Sequence, residues 1–123
     1  MNTATQTIDL IYESLANRFY EMDYKTYSTY YLGRNNSYYS YLKSSSSSVS
    51  IEALFNLYAK LMYEEEMAKE KILEADDREL QRICHSRAEY FGDMKHTALN
   101  GLLETAYDRL EEQKESKCLL EKY

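Results

Sequence analysis

The sequence predicts an all-α fold, and three observations lead to that prediction. The 123 residues contain no proline and only three glycines, so the frequent turns of an all-β sandwich are not marked. Apolar side chains recur at intervals of three and four residues along much of the chain, which is typical of helices with one buried face. The length fits one small domain or two very small ones and excludes large enzyme folds such as a TIM barrel.

The first predicted helix covers about residues 7–20. Its apolar side chains share one face because they are spaced by three or four positions. They are Ile8, Ile11, Tyr12, Leu15 and Phe19. Asp23 is suited to cap a second, shorter helix through Thr26 to Leu32, and Gly33 stands where a helix needs a left-handed terminal residue.

A third short helix is predicted for Tyr38 to Lys43, after three residue types that commonly cap helices, Asn35, Asn36 and Ser37. The serine run 44–48 is of low complexity and predicts a solvated loop. Ser50 then caps a fourth helix with strong periodicity. Its apolar positions are Ile51, Leu54, Phe55, Tyr58, Leu61 and Met62.

The second half of the chain is predicted to be one long bent helix or a hairpin of two. A charged stretch follows Met62, Asp76 and Asp77 offer a boundary, and Gly92 marks a possible stop. The narrow apolar stripe on these charged helices favours a partner helix, so we expect a homodimer. Its contacts would come from Phe91, Ala98, Leu102 and Leu110. We therefore divide the chain into residues 1–62, a helical module, and residues 63–123, a charged extension that dimerises.

Charge is distributed unevenly between these two regions. Five basic and five acidic side chains make residues 1–62 neutral, and the remaining residues carry the whole net charge of −6. A protein that coats phosphates without sequence preference has an excess of Lys and Arg, which is lacking here. Any nucleic-acid binding must therefore be local.

Several functional classes are not expected. No apolar run is long enough for a membrane span, and the first residues lack the pattern of a signal peptide, so we expect a cytoplasmic protein. No phosphate-binding loop, nucleophile elbow or paired cysteine motif is present, which predicts no enzyme activity and no cofactor. Cys84, His85 and His96 allow a metal-dependent function, but isolated pairs on polar helices usually have surface roles, so no metal is expected.

Residues 33–45 and 49–61 resemble the Cro/repressor-type helix-turn-helix domain, the XRE-like class. Gly33, Ser40, Leu42 and Ser50 fall at that family's characteristic places, as does the stretch 57–61. The sequence departs from the pattern in the loop, where Ser45 replaces glycine and Val49 replaces proline, and in the second helix, where Ser28 and Thr29 replace Leu-Ala. Residues 32–38 are also similar to a small uncharacterised bacterial and phage family with a Leu-Gly-Arg-x-x-Ser-Tyr signature.

This resemblance implies a four-helix module that places its third helix in the major groove of double-stranded DNA. By matched position, the base contacts would come from Asn36, Ser37 and Tyr41, and the phosphate contacts from Lys25, Arg34, Lys43 and Ser44. The leading interpretation is a dimeric transcriptional regulator whose half-sites lie about 34 Å apart. For Asn36, helix capping explains the residue as well as base contact does.

A protein-binding adaptor or inhibitor, of phage or bacterial origin, is the alternative interpretation. The chain has 14 tyrosines and no tryptophan, and residues 12–41 hold most of the tyrosines, a residue enriched at protein interfaces. The tyrosines could equally fill the core. An acidic surface from residues 64–66 and 76–77 could also imitate nucleic acid. A basic rim around residues 36–43 would favour DNA, and a flat aromatic surface would favour a protein partner.

Overall fold

The computed structural model describes residues 3–45 and 47–121, and every regular element in those ranges is helical, which confirms the all-α prediction. Four α-helices and one short α-turn follow in order, with a π-helical stretch after the turn. Their bounds are α1 Thr3–Arg18, α2 Tyr24–Thr26, the π-helical stretch Tyr27–Tyr31, α3 Tyr38–Ser44, α4 Ile51–Glu74 and α5 Arg78–Glu121. The predicted regions 1–62 and 63–123 and the predicted serine loop include five positions that lie outside the described residues: 1, 2, 46, 122 and 123.

The frame of the molecule is an antiparallel hairpin of α4 and α5, with α1 lying along α5. Only residues 75–77 separate α4 from α5, and the two helices pack against each other, so they run in opposite directions. Two ion pairs join them, Arg87 with Glu64 and Lys95 with Glu65. Gly101 of α5 lies close to the side chain of Thr7, near the N-terminal end of α1. Of the two arrangements predicted for the second half, the continuous helix is present from Arg78 onward, and Gly92 lies inside it.

One hydrophobic core joins the two regions that the sequence suggests. Side chains of α1, such as Ile11 and Leu15, belong to the same buried cluster as Leu57 of α4 and Phe91 of α5. Helix α4 also passes through residue 62 without a break. The chain interruption lies instead between α4 and α5, where Asp77 accepts a hydrogen bond from the Leu80 amide at 2.8 Å and so caps α5.

Two of the predicted helix caps are present. Asp23 Oδ1 accepts a hydrogen bond from the Thr26 amide at 2.7 Å, and Ser50 Oγ accepts one from the Ala53 amide at 3.1 Å. The predicted second helix is less regular than expected, since a single α-turn passes into the π-helical stretch, where the Leu32 amide donates to the Tyr27 carbonyl. Among the described residues, no helix is long and apolar enough to cross a membrane.

Candidate functional site

The turn before α3 is fixed by Gly33, as the sequence predicts. Gly33 has a φ of 64°, in the left-handed region that favours glycine. A Cβ at this position would also lie 2.6 Å from Asn56 Nδ2, and that amide donates to the Leu32 carbonyl at 3.0 Å. The α4 helix therefore holds the turn directly. The backbone conformation favours glycine, and a side chain at this position would displace the Asn56 amide that makes the contact.

Ser28 attaches the start of α3 to the π-helical stretch. Its side chain is fully buried, donates to the Tyr24 carbonyl at 2.7 Å and accepts from the Tyr39 amide at 2.9 Å. The Tyr39 amide lies in the first turn of α3, where no partner within the helix is available. The serine that departs from the helix-turn-helix pattern is thus the residue that satisfies this amide.

Tyr39 anchors the inner face of α3 in an aromatic cluster. Its ring is 1% exposed and lies within about 5 Å, between centroids, of the rings of Tyr12, Tyr24 and Tyr27. The hydroxyl donates to Asp9 Oδ1 at 2.6 Å. Burial, followed by this hydrogen bond and the charge of Asp9, raises the pKa of Tyr39 well above its usual value, so the phenol stays protonated.

Tyr27 is held in the same way, with its hydroxyl donating to the Ile8 carbonyl at 2.7 Å inside the core. Burial raises the pKa of Tyr27 well above the usual value for tyrosine. These two tyrosines fill the core, as one interpretation of the sequence holds. Their hydroxyls are satisfied by protein groups and do not need water.

The outer side of α3 carries the three predicted base-contact residues, and all three are exposed. We define the α3 surface as the exposed side chains Asn36, Ser37, Ser40, Tyr41 and Ser44. Tyr41 is 56% exposed, and its hydroxyl accepts from Ser47 Oγ at 3.0 Å. Ser37 occupies the cap position, but both its amide and its hydroxyl donate to Asn35 Oδ1, so Asn35 organises the start of the helix.

The predicted phosphate contacts are distributed around α3, and two of their cations face carboxylates of the same chain. Arg34 lies 3.5 Å from Glu52 and 5.3 Å from the centroid of the Tyr38 ring. Lys43 lies 3.8 Å from Asp9. Lys25 is exposed, and the Ser44 hydroxyl donates to the Tyr41 carbonyl at 3.2 Å. Arg34 and Lys43, which flank the α3 surface, therefore each face a carboxylate of the same chain across an exposed ion pair.

The predicted dimer contacts lie in different environments. Phe91 and Ala98 are fully buried in the chain's own core, and Leu102 packs against that core. The apolar stripe of α5 thus finds its partner helices, α1 and α4, within one chain, which the sequence pattern could not distinguish from a second copy. Of the four residues, Leu110 is the one that is exposed, by 62%.

The acidic run 64–66 forms only part of the exposed acidic surface that the alternative interpretation considers, whereas Asp76 and Asp77 are exposed. Glu64 is paired with Arg87, and Glu65 accepts a hydrogen bond from Lys95 at 2.6 Å. Burial favours a higher pKa for Glu65, but the hydrogen bond and charge of Lys95, together with Lys69, outweigh it and hold the pKa below the usual value. Only Glu66 of the three has a largely exposed side chain, at 61%.

The residues considered for a metal site do not come together in the described part of the chain. No group of three or more His, Cys, Asp or Glu side chains there could hold a metal ion. His85 and His96 are exposed, and Cys84 is buried and free.

Comparison with known proteins identifies a family. Residues 8–102 match the model of a family of unknown function, DUF6626. The chain belongs to this family. The match extends from α1 to within α5 and includes all of α3 and α4. No curated protein and no solved structure matches the chain.

Proposed function

We propose that this DUF6626 protein is a non-enzymatic protein-binding module that docks its partner on the α3 surface. The observation that carries this proposal is the pairing of Arg34 with Glu52 and of Lys43 with Asp9. Binding to a duplex draws on cations that face phosphates. Here the cations beside the exposed helix already face carboxylates, and the surface between them is uncharged.

The chemistry of the α3 surface suits a protein partner. It presents one large aromatic side chain, Tyr41, among serine hydroxyls and the amide of Asn36. Tyrosine offers a wide contact area for a small loss of conformational entropy, and serine and asparagine supply adaptable hydrogen bonds. This combination is typical of antibody paratopes, which recognise other proteins.

DNA binding by a dimer is the second candidate function, and one observation favours it. Asn36, Ser37 and Tyr41 are exposed at or near the beginning of α3, where the helix-turn-helix resemblance places base contacts. The ion pairs of Arg34 and Lys43 are also longer than tight charge-assisted hydrogen bonds, so phosphates could compete with them.

The test compares Tyr41→Ala with Tyr107→Ala, a change at another exposed tyrosine, on α5. Each variant and the wild-type protein are used to capture partners from a lysate of the organism that encodes the chain, and each is titrated with duplexes enriched from a random pool. We expect a stoichiometric protein partner whose binding weakens about tenfold or more with Tyr41→Ala and is unchanged with Tyr107→Ala.

The opposite outcome would establish the DNA-binding function instead. It consists of an enriched duplex motif whose affinity falls steeply with added salt and is reduced by both Asn36→Ala and Tyr41→Ala. A protein partner that both tyrosine variants retain equally would also exclude the α3 surface as the docking face.

A further inference from the structure

A cavity of about 330 Å³ lies between the segment 19–31 and the α4–α5 hairpin. Four aromatic residues line it: Phe19 and Tyr30 are accessible to solvent, whereas Tyr31 and Phe91 are buried. We call it the Glu64 cavity, because Glu64 and Arg87 are the charged residues on its hairpin side. Its volume lies in the range of sites for small organic groups, and none of the residues that line it belongs to α3.

The Glu64 carboxylate has more hydrogen-bond acceptor positions than the neighbouring donors occupy. Its side chain is 14% exposed, accepts a hydrogen bond from the Tyr30 hydroxyl, and lies 3.5 Å from Arg87. A tight ion pair between a carboxylate and a guanidinium has a separation of about 2.7–2.9 Å, so the contact with Arg87 is loose. Since a carboxylate offers about four acceptor positions, Glu64 can accept from a further donor.

The Tyr30 hydroxyl keeps its proton next to this carboxylate. Burial, the hydrogen bond to Glu64 and the charge of Glu64 raise the pKa of Tyr30 to about 12. At neutral pH the phenol therefore acts as a donor to Glu64 and leaves the negative charge on the carboxylate.

The aromatic wall favours positively charged groups. The guanidinium of Arg87 already lies 5.2 Å from the ring centroids of both Phe19 and Phe91, within the range of cation–π attraction. Glu21 adds a second carboxylate to the lining, so the two acidic side chains outnumber the one cation. Aromatic faces and a net negative charge together select against anions.

We infer that the Glu64 cavity binds a guanidinium group, which pairs with Glu64 and stacks on the aromatic wall. A guanidinium suits both contacts better than an ammonium, because it is planar and presents a fork of donors to a carboxylate. Arg87, whose side chain is 43% exposed, competes for the same carboxylate and can turn outward when another guanidinium enters. This site is separate from the α3 surface, so it does not depend on the function proposed for that surface.

The experiment titrates the full chain with Nα-acetyl-arginine methylamide while the ring signals of Phe19, Tyr30 and Phe91 are followed by NMR. The citrulline analogue, which has the same shape without the charge, serves as the ligand control. We expect saturable shifts of these signals with the arginine compound and none with the citrulline compound.

Methylguanidinium and a short arginine-containing peptide are compared next. Equal affinities indicate a free small molecule, and a tighter peptide indicates a partner's arginine side chain.

Three variants determine which residues bind the probe. Glu64→Gln weakens binding about tenfold or more, since a charge-assisted hydrogen bond is lost. Glu66→Gln, a matched change two residues along α4 at a side chain that is 61% exposed, leaves binding unchanged. Arg87→Gln removes the internal competitor and tightens binding about threefold.

The inference is overturned by unsaturable shifts, by equal binding to Glu64→Gln and wild type, or by binding that Arg87→Gln abolishes. The last result, together with binding of Nα-acetyl-glutamate methylamide, would identify an anion site instead. Thermal unfolding checks that each variant is folded. If Glu64→Gln does not fold, the citrulline comparison and Arg87→Gln still decide the question.

Discussion

The region around α3 and the α4–α5 hairpin are stabilised in different ways. The short α3 helix is held by a few buried polar contacts, chiefly those of Ser28 and Tyr39. The hairpin consists of helices of 24 and 44 residues, with buried apolar side chains between Ala53 and Ala68 of α4 and between Cys84 and Ala98 of α5, and with ion pairs between the two helices. Loss of one contact therefore matters more in the α3 region, where few others hold the same segment in place.

The largest expected effect is that of Tyr39→Ala. Removal of this buried ring leaves a cavity among three other tyrosines and deprives Asp9 of its hydrogen bond, so we expect a loss of about 3–5 kcal/mol in the free energy of unfolding. Urea denaturation measures the loss. Hydrogen exchange is expected to accelerate more for the α3 amides than for the amides of the hairpin.

Two matched tyrosine variants separate packing from hydrogen bonding. Tyr39→Phe retains the ring and should cost about 1 kcal/mol, whereas Tyr41→Ala, at an exposed position, should change stability by less than about 0.5 kcal/mol. Similar losses for Tyr39→Ala and Tyr41→Ala would show that α3 is not anchored through its inner face.

The parts of the fold that the sequence predicts are those that depend on neighbouring residues. Helices α1 and α4 have regular apolar spacing over several turns, and caps such as Ser50 depend only on neighbouring residues. The turn at Gly33 is likewise a local requirement. These features are confirmed because the signals that determine them are short-range.

Features that depend on distant residues could not be predicted in this way. The partner of the α5 stripe is α1 and α4 of the same chain, yet Phe91 and Ala98 would show the same spacing in a dimer interface. Ser28 is a departure in the sequence pattern, but its role requires the Tyr39 amide, 11 residues along the chain, to be placed beside it. The Glu64 cavity combines residues from 19 to 91, and no motif signals it.

A smaller effect is expected for Ser28→Ala. The variant removes the acceptor of the buried Tyr39 amide, and an unsatisfied buried donor costs about 1–2 kcal/mol. Thr29→Ala is the matched control, because the Thr29 hydroxyl also donates to a helical carbonyl, that of Lys25, but at an exposed position. Urea denaturation and exchange of the Tyr39 amide distinguish the two variants. Equal effects would mean that the contact with α3 contributes nothing beyond the local hydrogen bond.

The smallest effect concerns the hairpin, through the pH dependence of the Glu65–Lys95 pair. The pKa of Glu65 is lowered in the folded state, so its contribution is present above the unfolded pKa and is lost as the pH falls through the folded value. The pKa of Lys95 is raised, chiefly by its hydrogen bond to Glu65. Its contribution is therefore present below the unfolded pKa and is lost as the pH rises through the folded value.

Glu65→Gln should therefore remove part of the acid dependence of stability. Wild type is expected to be about 1 kcal/mol more stable than Glu65→Gln at pH 7, and the difference should shrink as the pH falls below the ordinary glutamate value of 4.5. Urea denaturation at a series of pH values measures this difference, with the exposed Glu66→Gln as control. A difference that stays constant down to pH 2 would show that Glu65 acts through its shape and not through its charge. The contact would then resemble that of Ser28 with the Tyr39 amide, which is buried and involves no charged group.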